Sequence, residues 1–227
     1  MSGITASPVT SLDLSKLDRI RRFAGPTALA VGPVLMVSGM ALHEQWAGSG
    51  NEEPDERYIR AVEGNLTQWV TSHFLATVGL ALLAGGATTI FRLARGRGTV
   101  LTVVGATAVV LGAALIALSD LLNGFLAYAL AGHVDATTSL AIQEAYFSLL
   151  ANAVLNSGST LLPVGFVVLA VALLRSRAVP RWAAIVLLLG PVGIMLGFEY
   201  QNQYLKLVLG LPLVVGLAVL ARAIARR

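Results

Sequence analysis

FRLARGRGTVLTVVGATAVVLGAALIALSDLL, residues 91–122, decides the fold. It opens on three arginines, Arg92, Arg95 and Arg97, continues as an uncharged apolar run, and reaches a carboxylate at Asp120. The stretch 99–121 is long enough, as a helix rising about 1.5 Å per residue, to cross a hydrocarbon core of about 30 Å. Runs of similar length recur at 23–42, 69–91, 150–174, 182–198 and 204–221. The expected fold is therefore all-α: an integral membrane bundle of six transmembrane helices.

Composition agrees. Of 227 residues, 56% are hydrophobic and 12% charged, against about 25% charged in a soluble domain. Mean hydropathy is +0.76. The net charge of +4 then reflects membrane topology and not a nucleic-acid footprint. The absence of cysteine excludes disulfides, thiolate nucleophiles, Fe–S clusters, covalent c-type haem and Cys-based zinc sites.

Thirteen of the 16 basic residues fall in four clusters: the head (Lys16, Arg19, Arg21, Arg22), Arg92/Arg95/Arg97, Arg175/Arg177/Arg181 and Arg222/Arg226/Arg227. Six crossings put all four on one side. Positive loops stay cytoplasmic, so both termini are expected inside the plasma membrane. Residues 1–22 form a cytoplasmic head whose Leu14, Leu17 and Ile20 suit an interfacial helix, and residues 23–227 form the transmembrane domain. The run 23–42 is too long for a signal-peptide core and reads as an anchor that stays in place.

Two connections carry further pattern. Pro54, Asp55 and Glu56 suit a first helical turn, and Tyr58, Ile59 and Val62 give one apolar edge, so a short surface helix is expected before Gly64. Residues 119–146 make spans three and four too long for the bilayer, and an outward helical extension is expected there. Pro33, Pro163, Pro191 and Pro212 fall within spans, where neighbouring helices absorb their cost. Gly79, Gly85, Gly86, Gly190, Gly193 and Gly197 suggest close helix packing.

Counted up from the arginines, His43, His73, Asp120, Asn156 and Glu199 reach one level near the outer hydrocarbon edge, with Lys206 slightly deeper. One reading is a plain boundary layer, in which Trp46, Trp69, Tyr200 and Tyr204 form the aromatic belt and the imidazoles lie where lipid meets water. The other is a polar vestibule open to the outside. Asp120 and Asn123 favour the vestibule, because apolar sequence flanks them on both sides and a lipid-facing carboxylate costs on the order of 3 kcal/mol. Lys206, with Glu199 competing for it, is the expected counter-charge of Asp120. Asn152, Asn156, Ser157, Ser159 and Thr160 make the outer half of span four polar.

The leading expectation is a non-enzymatic membrane component that engages a membrane-protein partner or a lipophilic ligand at the vestibule, with His73, Asn123, Asn152, Asn156 and Lys206 as ligand-binding residues. One alternative is acid–base catalysis by Asp120 and Glu199 on an isoprenoid or lipid, on the plan of membrane terpene cyclases. A second is a haem or metal held by His43 and His73. The sequence names no cofactor.

The order ALH (41–43), YIRAVEGN (58–65), WVTSH (69–73), FRLARGRG (91–98) and LLRSRAVPRWAA (173–184) resembles small, uncharacterised multipass membrane proteins of GC-rich actinobacteria over residues 23–200. That resemblance implies the topology and the two histidine positions, and no reaction.

Overall fold

The computed structural model describes residues 14–43, 56–94, 96, 98–146, 152–199 and 203–226, with the side chains of 14–21, 56–58, 152, 194–199, 203–207 and 209 outside that description. Eight α-helices follow in order: α1 Leu14–His43, α2 Glu56–Gly64, α3 Leu66–Ala87, α4 Thr99–Leu130, α5 Ala136–Tyr146, α6 Asn152–Ser176, α7 Arg181–Glu199 and α8 Gln203–Ala225. A 3-10 segment, Thr88–Leu93, extends α3. No strand occurs among the described residues.

Among the described residues, four helical stretches are long and apolar enough to cross a membrane: Arg22–His43, Leu66–Leu93, Thr99–Leu130 and Ala153–Ser176. Two shorter apolar stretches, Arg181–Gly193 and Gly210–Ala225, lie within α7 and α8. Large apolar side chains such as Phe74, Val104, Leu111, Val164, Leu189 and Leu211 face outward. A water-soluble bundle would bury that surface, whereas lipid solvates it. The chain is a membrane protein.

Six helices close into a ring. α1 packs on α3, α3 on α4, α4 on α6, α6 on α7, α7 on α8, and α8 returns to α1. The centre is apolar, built from residues such as Leu29, Leu83, Phe166, Leu187 and Leu217. The 3-10 segment also enters it and touches α1, α4 and α8, with Ile90 and Leu93 fully buried. Gly25 abuts Thr89, and Gly98 approaches Ala172 and Ser176. These contacts set Arg22, Arg92, Arg175 and Arg177 at one end of the bundle.

Small residues seven apart hold the hairpins together. On α1 they are Gly25, Gly32 and Gly39; on α3, Ser72, Gly79 and Gly86. A methyl added at Gly32 would stand 2.7 Å from the Gly79 carbonyl oxygen, and one at Gly39 2.6 Å from the Ser72 carbonyl oxygen. The backbones of α1 and α3 are thus in contact, the usual way membrane helices gain dispersion without a hydrophobic drive. Gly105, Gly112, Gly158 and Gly165 do the same between α4 and α6, and Gly190 and Gly216 between α7 and α8. Among the expected packing glycines, Gly79, Gly86 and Gly190 take this role. Gly85 does not, because it is exposed with nothing within 4 Å of an added methyl.

At the other end α4 runs on to Leu130. Its 32 residues span about 48 Å at helical rise, so it projects well past a 30 Å core. The segment 56–64 is helical, but Ile59 and Val62 are buried. α2 packs on α5 and α3 and forms a cap over the bundle's end. Asp135 caps α5: its carboxylate accepts 2.9 Å bonds from the Thr138 amide and hydroxyl. The Thr138 backbone bond, then the hydroxyl, hold this carboxyl below its ordinary range.

Candidate functional site between α1, α3 and α4

The inward face of α3 repeats at helical spacing: Trp69, Ser72, His73, Ala76, Gly79, Leu80 and Leu83 are buried, while Phe74 is exposed. That periodicity turns His73 away from lipid, with only 4% of its surface exposed. Its position is fixed from both sides. His73 Nδ1 lies 3.0 Å from the Trp69 carbonyl oxygen, an acceptor only, so Nδ1 carries the proton and donates. Gly124 of α4 lies against the other flank, where an added methyl would come 2.7 Å from His73 Cβ.

The tautomer leaves Nε2 with a lone pair. The Asn123 amide nitrogen is 3.4 Å from it, a long bond. Asp120 Oδ1 stands 3.8 Å away, too far for a hydrogen bond. The second carboxylate oxygen, Oδ2, accepts a 3.0 Å bond from Thr77 Oγ1. Asp120 is thereby held by Thr77 of α3, one turn past His73 in sequence.

His43, in the last turn of α1, completes the cluster. Its ring centre lies 4.9 Å from that of His73, edge to face, and 4.9 Å from that of Trp69. Trp69 and His73 are 4.2 Å apart. The end of α1 is tied down by Gln68 Nε2, which donates to the Leu42 carbonyl at 2.9 Å. Between these groups is a cavity of about 140 Å³ lined by Gly39, Met40, His43, Ser72, His73, Ala76 and Asp120. Its size is that of a hollow that holds benzene or a few waters, and its wall combines imidazole, carboxylate, hydroxyl and thioether.

Four of the expected site residues thus come together: His43, His73, Asp120 and Asn123. Asn156 does not join them. It is exposed on α6, as are Ser157, Ser159 and Thr160, and none of these lines the cavity. The side chains of Asn152, Glu199 and Lys206 lie outside the described residues, as do Trp46, Tyr200 and the side chain of Tyr204. The described partners of Asp120 are Thr77 and His73. Trp69 departs from the expected aromatic belt: it is 1% exposed and packs with Val62 and Ala127, because α2 covers the end of α3.

Sequence reading missed Gly39, Met40, Ser72, Ala76, Thr77 and Gly124. Thr77 carries a legible signal, since it follows His73 by four residues and shares its helical face. Met40 precedes His43 by three and faces with it for the same reason. The role of Gly124 depends on where α4 crosses α3, which no local pattern records. Among the described residues no group of three or more His, Asp or Glu could hold a metal ion.

Residues 24–225 match the model of DUF4386, a family described as a domain of unknown function. No curated protein and no solved structure matches the chain.

Proposed function

Because the chain belongs to the DUF4386 family, for which no function is recorded, we propose a function from its geometry: a polytopic, non-enzymatic membrane component that binds a small ligand between α1, α3 and α4. All six ring helices cross the plasma membrane in this reading. Helices α7 and α8 have 19 and 23 residues, sufficient in length for a bilayer. The basic end faces the cytoplasm with both termini, so the His73 cavity lies toward the outside.

The observation that carries this reading is the cavity. Polar groups on three helices converge there, and such groups inside a membrane bundle mark functional sites by default because they are costly to place. Its 140 Å³ suits a small molecule better than a bulky lipophilic ligand. The same size weighs against a cyclase, which must enclose a prenyl chain several times larger than benzene.

The chain has no cysteine, so single replacements can be labelled in intact cells with a small membrane-impermeant thiosulfonate. Met40→Cys should react from outside, and Arg177→Cys only after permeabilisation. The opposite pattern would overturn both the orientation and the outward-facing cavity.

A further inference from the structure

We infer that the cavity is a site for a small primary alkylammonium ion, bound through its N–H groups by Asp120 Oδ1 and His73 Nε2. This rests on the small-ligand reading above and names its ligand class. Two lining side chains that carry a donor spend it on one backbone atom. Ser72 Oγ donates to the Trp69 carbonyl oxygen at 2.7 Å, and His73 Nδ1 donates to the same oxygen at 3.0 Å. Ser72 Oγ also lies 3.5 Å from Nδ1, on that same side of the ring. What remains on both residues is acceptor capacity.

Asp120 adds a carboxylate. Thr77 donates to Oδ2 at 3.0 Å, while Oδ1 is 3.8 Å from His73 Nε2, beyond hydrogen-bond reach. With Nδ1 protonated, Nε2 and Oδ1 are both acceptors, so neither serves the other. The Asn123 amide reaches Nε2 only at 3.4 Å and brings no charge. No lysine or arginine lines the cavity among the described residues. A carboxylate enclosed in a bundle is costly unless a hydrogen-bonded cation offsets it. The wall therefore calls for a donor and a positive charge together, and an ammonium group supplies both.

The spacing agrees. Two acceptors that each stand about 2.9 Å from one tetrahedral nitrogen are roughly 4–5 Å apart when the bonds are linear. The distance between Nε2 and Oδ1 is 3.8 Å. Bonds bent by about 15° at the nitrogen close that difference and stay within the favoured angles. Gly39, Met40 and Ala76 complete the lining and offer apolar contact to a carbon chain. A hollow of about 140 Å³ takes a molecule the size of benzene, so the chain is short.

The test is calorimetric titration of the full-length chain in detergent with propylammonium chloride. Mildly alkaline buffer keeps imidazoles neutral and the amine a cation. Two comparison compounds are titrated alongside: propanol, similar in shape but uncharged, and tetramethylammonium, charged but without N–H donors. Propylammonium should saturate one site and bind on the order of tenfold or more tighter than either. Asp120→Asn, which keeps the side chain's shape, should remove that preference. Asn156→Ala, on the exposed face of α6, should leave it unchanged. The three compounds on the unaltered chain keep the test decisive if Asp120→Asn fails to fold. No saturable propylammonium binding, equal or tighter binding of either comparison compound, or a preference that survives Asp120→Asn would overturn the proposal. If Met40→Cys is still labelled from outside in that event, the cavity reading stands and only the ammonium ligand falls.

Discussion

The outer halves of α3 and α6 look alike in sequence and differ in the fold. Each is an apolar helix interrupted by hydroxyls and nitrogen-bearing side chains, among them His73 in α3 and Asn156 in α6. In α3, Thr67 and Thr71 are exposed, but Ser72 and His73 are buried and, with half-buried Thr77, reach α4 or the cavity. In α6, Asn156, Ser157, Ser159 and Thr160 are all exposed. Composition therefore does not tell a site from a surface inside a membrane bundle. Rotational position together with the flanking helix does. His73 is one residue past Ser72 of the small stripe and is covered there by α4, with Gly124 against it, whereas Ser159, one residue past Gly158, is exposed. Asn156 is two residues before Gly158, which places it about 200° round the helix, away from the contact with α4.

The comparison breaks first at those stripes. Gly79→Leu drives a side chain into the α1 backbone, where its first carbon would already be 2.6 Å from the Gly32 oxygen. It should cost about 3 kcal/mol or more, read as a lower unfolding midpoint in detergent or as failure to accumulate. Gly85→Leu, on the open face of the same helix, should be tolerated. Equal damage from both would remove the glycine packing account.

A smaller effect sharpens the contrast between the two polar groups. His73→Ala leaves Asn123 and Asp120 facing an enlarged hollow and should cost about 1–3 kcal/mol. Asn156→Ala should stay within about 0.5 kcal/mol. A reversal of that order, measured by the same unfolding assay, would mean that the α6 residues and not the α3 residues are the structured ones.

How much of this was legible beforehand follows from the same physics. Apolar runs and arginine clusters depend on chain-local facts, so the helical architecture could be read directly, including the run of α4 past the length a bilayer needs. The convergence of His43, His73, Asp120 and Asn123 was only half legible. Counting residues from the arginines gives a height, and height brings His43, His73 and Asp120 to one level, yet Asn156 stands at that level too. What separates it is rotation about the helix axis and the partner helix, a tertiary property. Trp69 shows the limit most clearly: an aromatic residue at the outer edge has the pattern of a lipid belt, and only the cover provided by α2 and Ala127 makes it core.

The smallest expected effect lies at the cap. Asp135 is a carboxyl with a lowered folded value, so its stabilising contribution is present above the ordinary value of 3.8 and disappears as pH falls through the depressed one. Protection of the Thr138 amide against hydrogen exchange should accordingly drop on acidification below that range, and Asp135→Ala should abolish the dependence. A Thr138 amide whose protection does not change with pH would show that α5 is capped by something else.

The donor and acceptor pattern that the cavity presents depends on which nitrogen of His73 carries the proton. Nitrogen-15 spectra of imidazole-labelled protein, in a background with His43→Gln and His133→Gln so that a single ring reports, measure this directly. The account predicts a protonated Nδ1 coupled to the Trp69 carbonyl and a bare Nε2. A protonated Nε2 with an open Nδ1 would contradict it.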